Sequence, residues 1–337
     1  MGKAAAARKL AAAAAVGGGG LSLLGAALYG VLDLEARLAR RTIGTTREDP
    51  PPDATGWYGR GRPGPAVRIA LLGDSSAAGY GVERVEETPG ALLGSGISEH
   101  AGRRVYLRAF AVVGARSPHL VTQIDRALTI EPDVAMILIG ANDVTHKTRP
   151  AESVRHLSRG VRRLREAGVE VVVGTCPDLG TVRPIAPPLK QVARAWSRRL
   201  AAAQTIAVIE EGGRTVSLGS ILGPEFDAAP AVLFGPDQFH PSAAGYRALA
   251  NLLIPSLLAA LGLAPEEEQQ PEPFRGEGVL PVTRAAVQAV RETGTELDGA
   301  DGVRGRRVEL RHRRRRPQAP VQAPAATEQE PAGSEQG

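Results

Sequence analysis

Four short clusters carry the residue types that chemistry would need. Gly73-Asp74-Ser75 follows the apolar run Val67–Leu72, Gly114 ends a second run, and Gly140-Ala141-Asn142-Asp143 follows a third. The fourth, Asp237-Gln238-Phe239-His240-Pro241, precedes a helical segment. Serine, histidine and aspartate are together the parts of an acyl-transfer site. A serine hydroxyl is a weak nucleophile until a base removes its proton during attack. An imidazole can take that proton, and a carboxylate on its other nitrogen fixes the tautomer and stabilises the imidazolium. Of the six histidines, His240 alone has an acid three positions before it and a proline after it. His240 is therefore the candidate base for Ser75, with Asp237 as its partner on the same short segment. Gly114 leaves no side chain to block an approaching substrate.

Each cluster taken singly has a plain structural reading. Gly-Asp-Ser after a strand is a turn with a helix cap, Asn-Asp after Gly is a loop, and His-Pro starts a helix. Their joint occurrence at strand ends is what carries weight, because ligand sites of open parallel sheets lie beyond the carboxyl ends of the strands.

The elements that must position them are legible from 67 to 262. Apolar β-branched runs occur at Val67–Leu72, Val105–Val113, Val134–Ile139 and Val169–Gly174, with a weaker one at Thr205–Ile209. Helical spacing fills Ala151–Ala167, Leu189–Ala203 and Ser242 to about Leu261, where Tyr246, Leu249, Leu253 and Leu257 share one face and Pro255 threatens a kink. Continuous apolar strands separated by helices predict an α/β fold, a three-layer α/β/α sandwich with a central parallel sheet.

On G-D-S-x-x-x-G at 73–79, Gly114, G-x-N-D at 140–143 and D-x-x-H-P at 237–241, the sequence resembles the SGNH or GDSL hydrolases. The resemblance covers about three-fifths of the chain and implies a flavodoxin-like fold. It implies an oxyanion hole made by the Ser75 and Gly114 backbone N–H groups and the Asn142 side-chain amide. Family members usually carry an Asn shortly before the second-block glycine, where this chain has Ala111 and Val112. The serine is not in a G-x-S-x-G elbow, since 73–77 reads GDSSA, which argues against an ordinary α/β-hydrolase. The activity implied is serine esterase or acylhydrolase chemistry on carboxylic esters, lipid or acylated glycan, with no cofactor. An O-acyltransferase with the same triad is the enzymatic alternative, and an envelope scaffold binding through its basic tail is the non-catalytic one.

Around this domain the composition changes. Residues 10–32 hold no charge over 23 positions and follow Lys3, Arg8 and Lys9. As a helix they would reach about 34 Å, enough for a hydrocarbon layer of ~30 Å. Residues 1–41 are thus expected to be a membrane anchor with the catalytic domain outside, or else a cleaved signal segment. Residues 42–66 read as a Pro/Gly-rich linker, in which Trp57 and Tyr58 are candidates to pack on the domain. The G-R-G-R-P-G at 59–64 precedes a strand instead of following one and is discarded as a dinucleotide fingerprint. Residues 263–337 read as a low-complexity basic tail without stable structure, apart from a short helix at 281–292. The net charge of +5 is modest for 337 residues and partly due to the Arg run at 306–317, so no nucleic-acid partner is expected. The lone Cys176 cannot form an internal disulfide and is expected to be a packed strand-end thiol. Asp178 is a candidate pocket residue and His146 a candidate substrate contact. His100, His119 and His156 show no ligand spacing, and no metal site is expected. The pocket is expected between loops 76–90, 115–120, 143–150, 178–190 and 222–238, with apolar 228–234 beside the His240 block.

Overall fold

The computed structural model describes residues 34, 35, 38, 50–182, 184–219, 230–264, 277–299 and 307–312. The chain runs β1 (Gly56–Tyr58), β2 (Val67–Gly73), α1 (Ser75–Ala78), α2 (Pro89–Ala101), β3 (Val105–Ala109), α3 (Leu120–Leu128) and β4 (Val134–Leu138). It continues through α4 (Ala141–Thr145), α5 (Pro150–Glu166), β5 (Glu170–Gly174), α6 (Leu189–Glu210), β6 (Arg214–Val216), α7 (Pro230–Leu233) and α8 (Ala243–Ala260). Then follow β7 (Gly278–Pro281), α9 (Val282–Ala289), β8 (Thr295–Gly299) and β9 (Arg307–His312).

Strands β3-β2-β4-β5-β6 are parallel and form the centre of one sheet. Alternate residues feed two opposite cores, as the period of two requires. Ile69, Leu71, Met136 and Leu138 pack with α2 and α8 on one face. Ala70, Leu72, Ile137 and Val173 pack with α3 and α5 on the other. Helix α8 is apolar enough over its 18 residues to cross a membrane by composition. Its residues Tyr246, Leu249, Leu253 and Leu257 are instead buried in the first core, so it is a core helix.

The sandwich is as expected, with differences at its margins. The sheet is mixed. Within the segment expected to be linker, β1 adds antiparallel to β3, and Trp57 packs 5.1 Å from Tyr106. Tyr58 donates to the Ala54 carbonyl at 2.6 Å. Thr205–Ile209 is not a strand but part of α6. Leu200, Ala201, Gln204, Thr205 and Val208 are buried at helical spacing, and the sixth strand begins only after Gly212-Gly213.

The largest departure lies beyond 263. Residues 278–299 and 307–312 are not an unstructured tail: β8 pairs antiparallel with β6, β9 with β8, and β7 with β9. The Arg-rich segment alternates, placing Val308 and Leu310 in a core with Leu297, Ala285 and Ile209. Glu296, 1% exposed, accepts hydrogen bonds from Arg214 and Ser256, so a charged composition conceals a buried ion pair. The uncharged 10–32 segment, residues 220–229 and the basic stretch from 313 onward lie outside the described residues.

Candidate active site

The nucleophile candidate sits where β2 must stop. At Gly73, φ is +140°, and a Cβ there would lie 1.9 Å from the Leu138 carbonyl oxygen, so only glycine lets β2 turn this close to β4. Asp74 caps α1, accepting from the Ser76 N–H at 3.0 Å, while its own N–H donates to Leu138 at 3.0 Å. Ser75 is the first residue of α1, a position whose N–H has no partner within a helix.

Ser75 Oγ lies 2.9 Å from His240 Nε2, and His240 Nδ1 lies 2.6 Å from Asp237 Oδ2. The three residues that the sequence reading picked out from 165 positions apart thus form one hydrogen-bonded chain. Asp237 is held by its own turn, its Oδ1 accepting from the N–H groups of Phe239 at 3.0 Å and His240 at 2.9 Å. Burial pushes this carboxyl up, but the bonds from His240 and Phe239 outweigh it and leave it below its usual range. Tyr80 and Phe239 flank the imidazole, with ring centroids 4.5 and 4.8 Å away.

Asn142 lies in the first turn of α4, half-buried, and its Nδ2 donates to the Ala115 carbonyl at 3.1 Å. Gly114 is in the turn closed by Ala115 N–H to Val112 O, and the Val112 N–H donates to Gly73 at 3.1 Å. The Gly114 turn is therefore tied to the nucleophile strand at one end and to Asn142 at the other. A Cβ on Gly114 would meet nothing within 4 Å, but its φ of +78° is the left-handed conformation that favours glycine. Asp143 is fully buried and accepts from the Ser117 N–H at 3.1 Å, from Ser117 Oγ at 3.0 Å and from Ser153 Oγ at 2.8 Å.

A cavity of about 40 Å³ opens beside Ser75, lined by Asn142, Pro177, Leu179, Leu218 and Phe239 among others. Asp178 does not line it. Its carboxylate caps the turn at Gly180 and pairs with Arg194 and Arg198. His146 is exposed, its Nδ1 2.9 Å from the Asn142 carbonyl. Cys176 is buried, and burial raises its thiol well above the usual range. Asp74 is pushed up to about 6 by burial, opposed by the Ser76 N–H and the nearby His240 and reinforced by Asp143. Among the described residues no group of three or more His, Cys, Asp or Glu could hold a metal ion.

Sequence reading missed the buried glutamines. Gln123 Oε1 accepts from the Gly73 N–H at 2.8 Å and its Nε2 donates to the Gly73 carbonyl at 2.9 Å. Gln204 spans Cys176 N–H and the Ile139 carbonyl. Their signal was a polar residue on an otherwise apolar helical stripe, as in Leu120, Gln123, Ile124, Ala127.

Residues 71–248 match the family model of the GDSL-like lipase/acylhydrolase family. The chain belongs to this family. It is 42% identical over 255 residues to the GDSL-like esterase Rv1075c of Mycobacterium tuberculosis, covering 72% of this chain and 81% of that protein. Among solved structures it is similar to LAE5, an alpha/beta hydrolase from the metagenome of Lake Arreo, at 20% identity and TM-score 0.47 over 59% of this chain and 97% of that one. TesA is similar at 21% identity and TM-score 0.45, over 57% and 99%. This GDSL-family chain is an ester-hydrolysing serine hydrolase.

Proposed function

We propose that Ser75, His240 and Asp237 are the catalytic triad of a carboxylic-ester hydrolase working through an acyl-serine. The observation that carries this is the continuous chain Ser75 Oγ–His240–Asp237, with contacts of 2.9 and 2.6 Å. Ser75 Oγ attacks the ester carbonyl carbon while its proton passes to His240 Nε2. Asp237 accepts from Nδ1 and stabilises the imidazolium that results. The carbonyl oxygen, now anionic, takes hydrogen bonds from the N–H groups of Ser75 and Gly114 and from Asn142 Nδ2. Collapse expels the alcohol, which leaves with the proton from His240. Water then attacks the acyl-serine as its proton passes to His240, and collapse breaks the bond to Ser75 Oγ, which takes that proton back from His240 as the carboxylic acid leaves.

The acyl group proposed is short. A cavity of about 40 Å³ holds roughly three water-sized spaces, enough for an acetyl or propionyl group. Residues 10–32 are proposed as a membrane anchor. Glu35, just beyond them, accepts from the Leu189 N–H at 2.8 Å, at the start of α6. Helices that follow strands of a parallel sheet start at its carboxyl edge, so Glu35 lies on the same side of the sheet as the site.

A fluorophosphonate probe tests the nucleophile in the full chain. Labelling should map to Ser75 and vanish in Ser75→Ala and His240→Ala. A folded wild-type protein that does not label would overturn the reading.

A further inference from the structure

The ladder around the site is interrupted at two places, and the same device fills both. Strands β2 and β3 run in parallel register as far as Leu71↔Ala109, and the Phe110 N–H donates to the Leu71 carbonyl at 2.8 Å. In a regular parallel ladder the next rung on this side would run from the Gly73 N–H to the Phe110 carbonyl. Here the chain leaves into the Gly114 turn only after Val112, whose N–H still donates to the Gly73 carbonyl at 3.1 Å, and the Gly73 N–H goes to Gln123 Oε1 at 2.8 Å instead. The same amide donates from Nε2 to the Gly73 carbonyl at 2.9 Å.

On the other side of the site, β4 and β5 pair as far as Leu138↔Gly174. The next rung would join the Cys176 N–H to the Ile139 carbonyl. Gln204 stands between them: its Oε1 accepts from Cys176 at 2.7 Å and its Nε2 donates to Ile139 at 3.0 Å. Both glutamines are nearly sealed from solvent, at 3% and 1% exposure. Between these two wedges, β2 and β4 stay zipped through the Asp74 N–H and the Leu138 carbonyl at 3.0 Å.

A primary amide has the donors and acceptor of a peptide group, so it can replace a rung without leaving a buried backbone group unpaired. An apolar side chain of the same length would strand the Gly73 N–H at the first place, and the Cys176 N–H and Ile139 carbonyl at the second. Beyond the first replaced rung the chain turns at Gly114, and beyond the second Pro177 and Leu179 form a wall of the cavity.

We propose that Gln123 and Gln204 are positioning residues of catalysis, each a surrogate peptide that takes the place of one ladder rung at the carboxyl edge. Gln123 sets the nucleophile turn against the Gly114 turn, and Gln204 sets the acyl cavity. The assignment rests on Ser75 as nucleophile, and it divides the kinetic consequences between the two residues.

The test uses the full chain, with esters of two chain lengths. Gln123→Met should lower kcat by about ten- to a hundredfold, the scale of a misplacement near 1 Å, with KM little changed. Gln204→Met should instead alter the KM ratio between acetyl and longer esters, and an unchanged ratio in the folded variant would overturn its part of the proposal. Gln123→Glu supplies a readout that loss of packing would not move. An ionised carboxylate can accept from the Gly73 N–H but repels its carbonyl, whereas a protonated carboxyl both accepts and donates as the amide does. Burial favours the protonated form, as does the carboxyl of Asp74, next in the chain to the Gly73 that Gln123 bonds, while Arg126 on the same helix and Arg108 on β3, both stacked on Phe110, oppose it. The ratio of Gln123→Glu to wild-type kcat should therefore rise as pH falls.

Folded Gln123→Met with kcat within twofold of wild type would overturn the proposal, as would a Gln123→Glu ratio that is flat with pH. Where Gln123→Met does not fold, the Gln123→Glu ratio decides. Wild-type activity that disappears in Ser75→Ala keeps the nucleophile reading intact in any of these outcomes.

Discussion

Replacing Asp74 by asparagine separates structure from chemistry at the nucleophile turn. Asp74 is 3% exposed, caps α1 through the Ser76 N–H, and has its carboxyl pushed up from 3.8 to about 6, first by burial. A carboxyl that titrates higher when folded favours the folded state below its unfolded pKa and loses that advantage as pH rises through the folded one. About two pH units at about 1.4 kcal/mol each make the ionised form cost about 3 kcal/mol above pH 7. An asparagine keeps the carbonyl that accepts from Ser76 and carries no charge. The assay is urea unfolding of Asp74→Asn and wild type between pH 4 and 8, read as the difference between the two proteins. That difference should be near zero at pH 4 and grow to about 3 kcal/mol in favour of the variant by pH 8. Because Asp74 also lies near His240, kcat should fall by no more than about tenfold, the size of one screened charge–charge interaction. A difference that stays flat with pH, or a variant less stable at pH 8, would refute the reasoning. Loss of activity as deep as that of Ser75→Ala would make Asp74 a catalyst.

Other consequences are equally direct. Asn142→Ala should lower kcat by ~10²–10³ with KM little changed, as the proposed oxyanion role requires of a donor to charge that develops only in the transition state; steady-state kinetics check it. Asp237→Asn should lose activity across the neutral pH range while Ser75 stays in place, because the carboxylate it removes is held below its usual range and is ionised throughout that region; pH–rate profiles of variant and wild type check it. Cys176, buried and with its thiol raised, should resist thiol reagents in the native protein and react at once in denaturant. A chain truncated at 265 should be markedly less stable in thermal melts than one ending at 312, because it loses the strand paired to β6 and uncovers Ile209.

What the sequence made legible was whatever one local pattern encodes. The apolar runs located β2, β4 and β5, and the clusters after the first two named Ser75 and Asn142, because polar residues interrupt an apolar strand there; His240 was named by the acid three positions before it and the proline after it. Thr205–Ile209 misled because β-branched residues also fill the buried face of a long helix. The region beyond 263 misled for the opposite reason. Its strands carry buried charge, and Glu296 is acceptable only beside Arg214, a partner 82 positions away that no local window contains. Gln123 and Gln204 were invisible as site residues for the same reason, since their backbone partners are fixed by topology and not by spacing.

The central claim is that an ester's acyl group passes through Ser75. Acid quench of full-chain protein during turnover of p-nitrophenyl acetate, followed by peptide mass mapping, tests it directly. The account predicts an acetyl ester on Ser75 that does not form in His240→Ala. Acetylation confined to any other residue, or steady turnover that persists in Ser75→Ala, would contradict it.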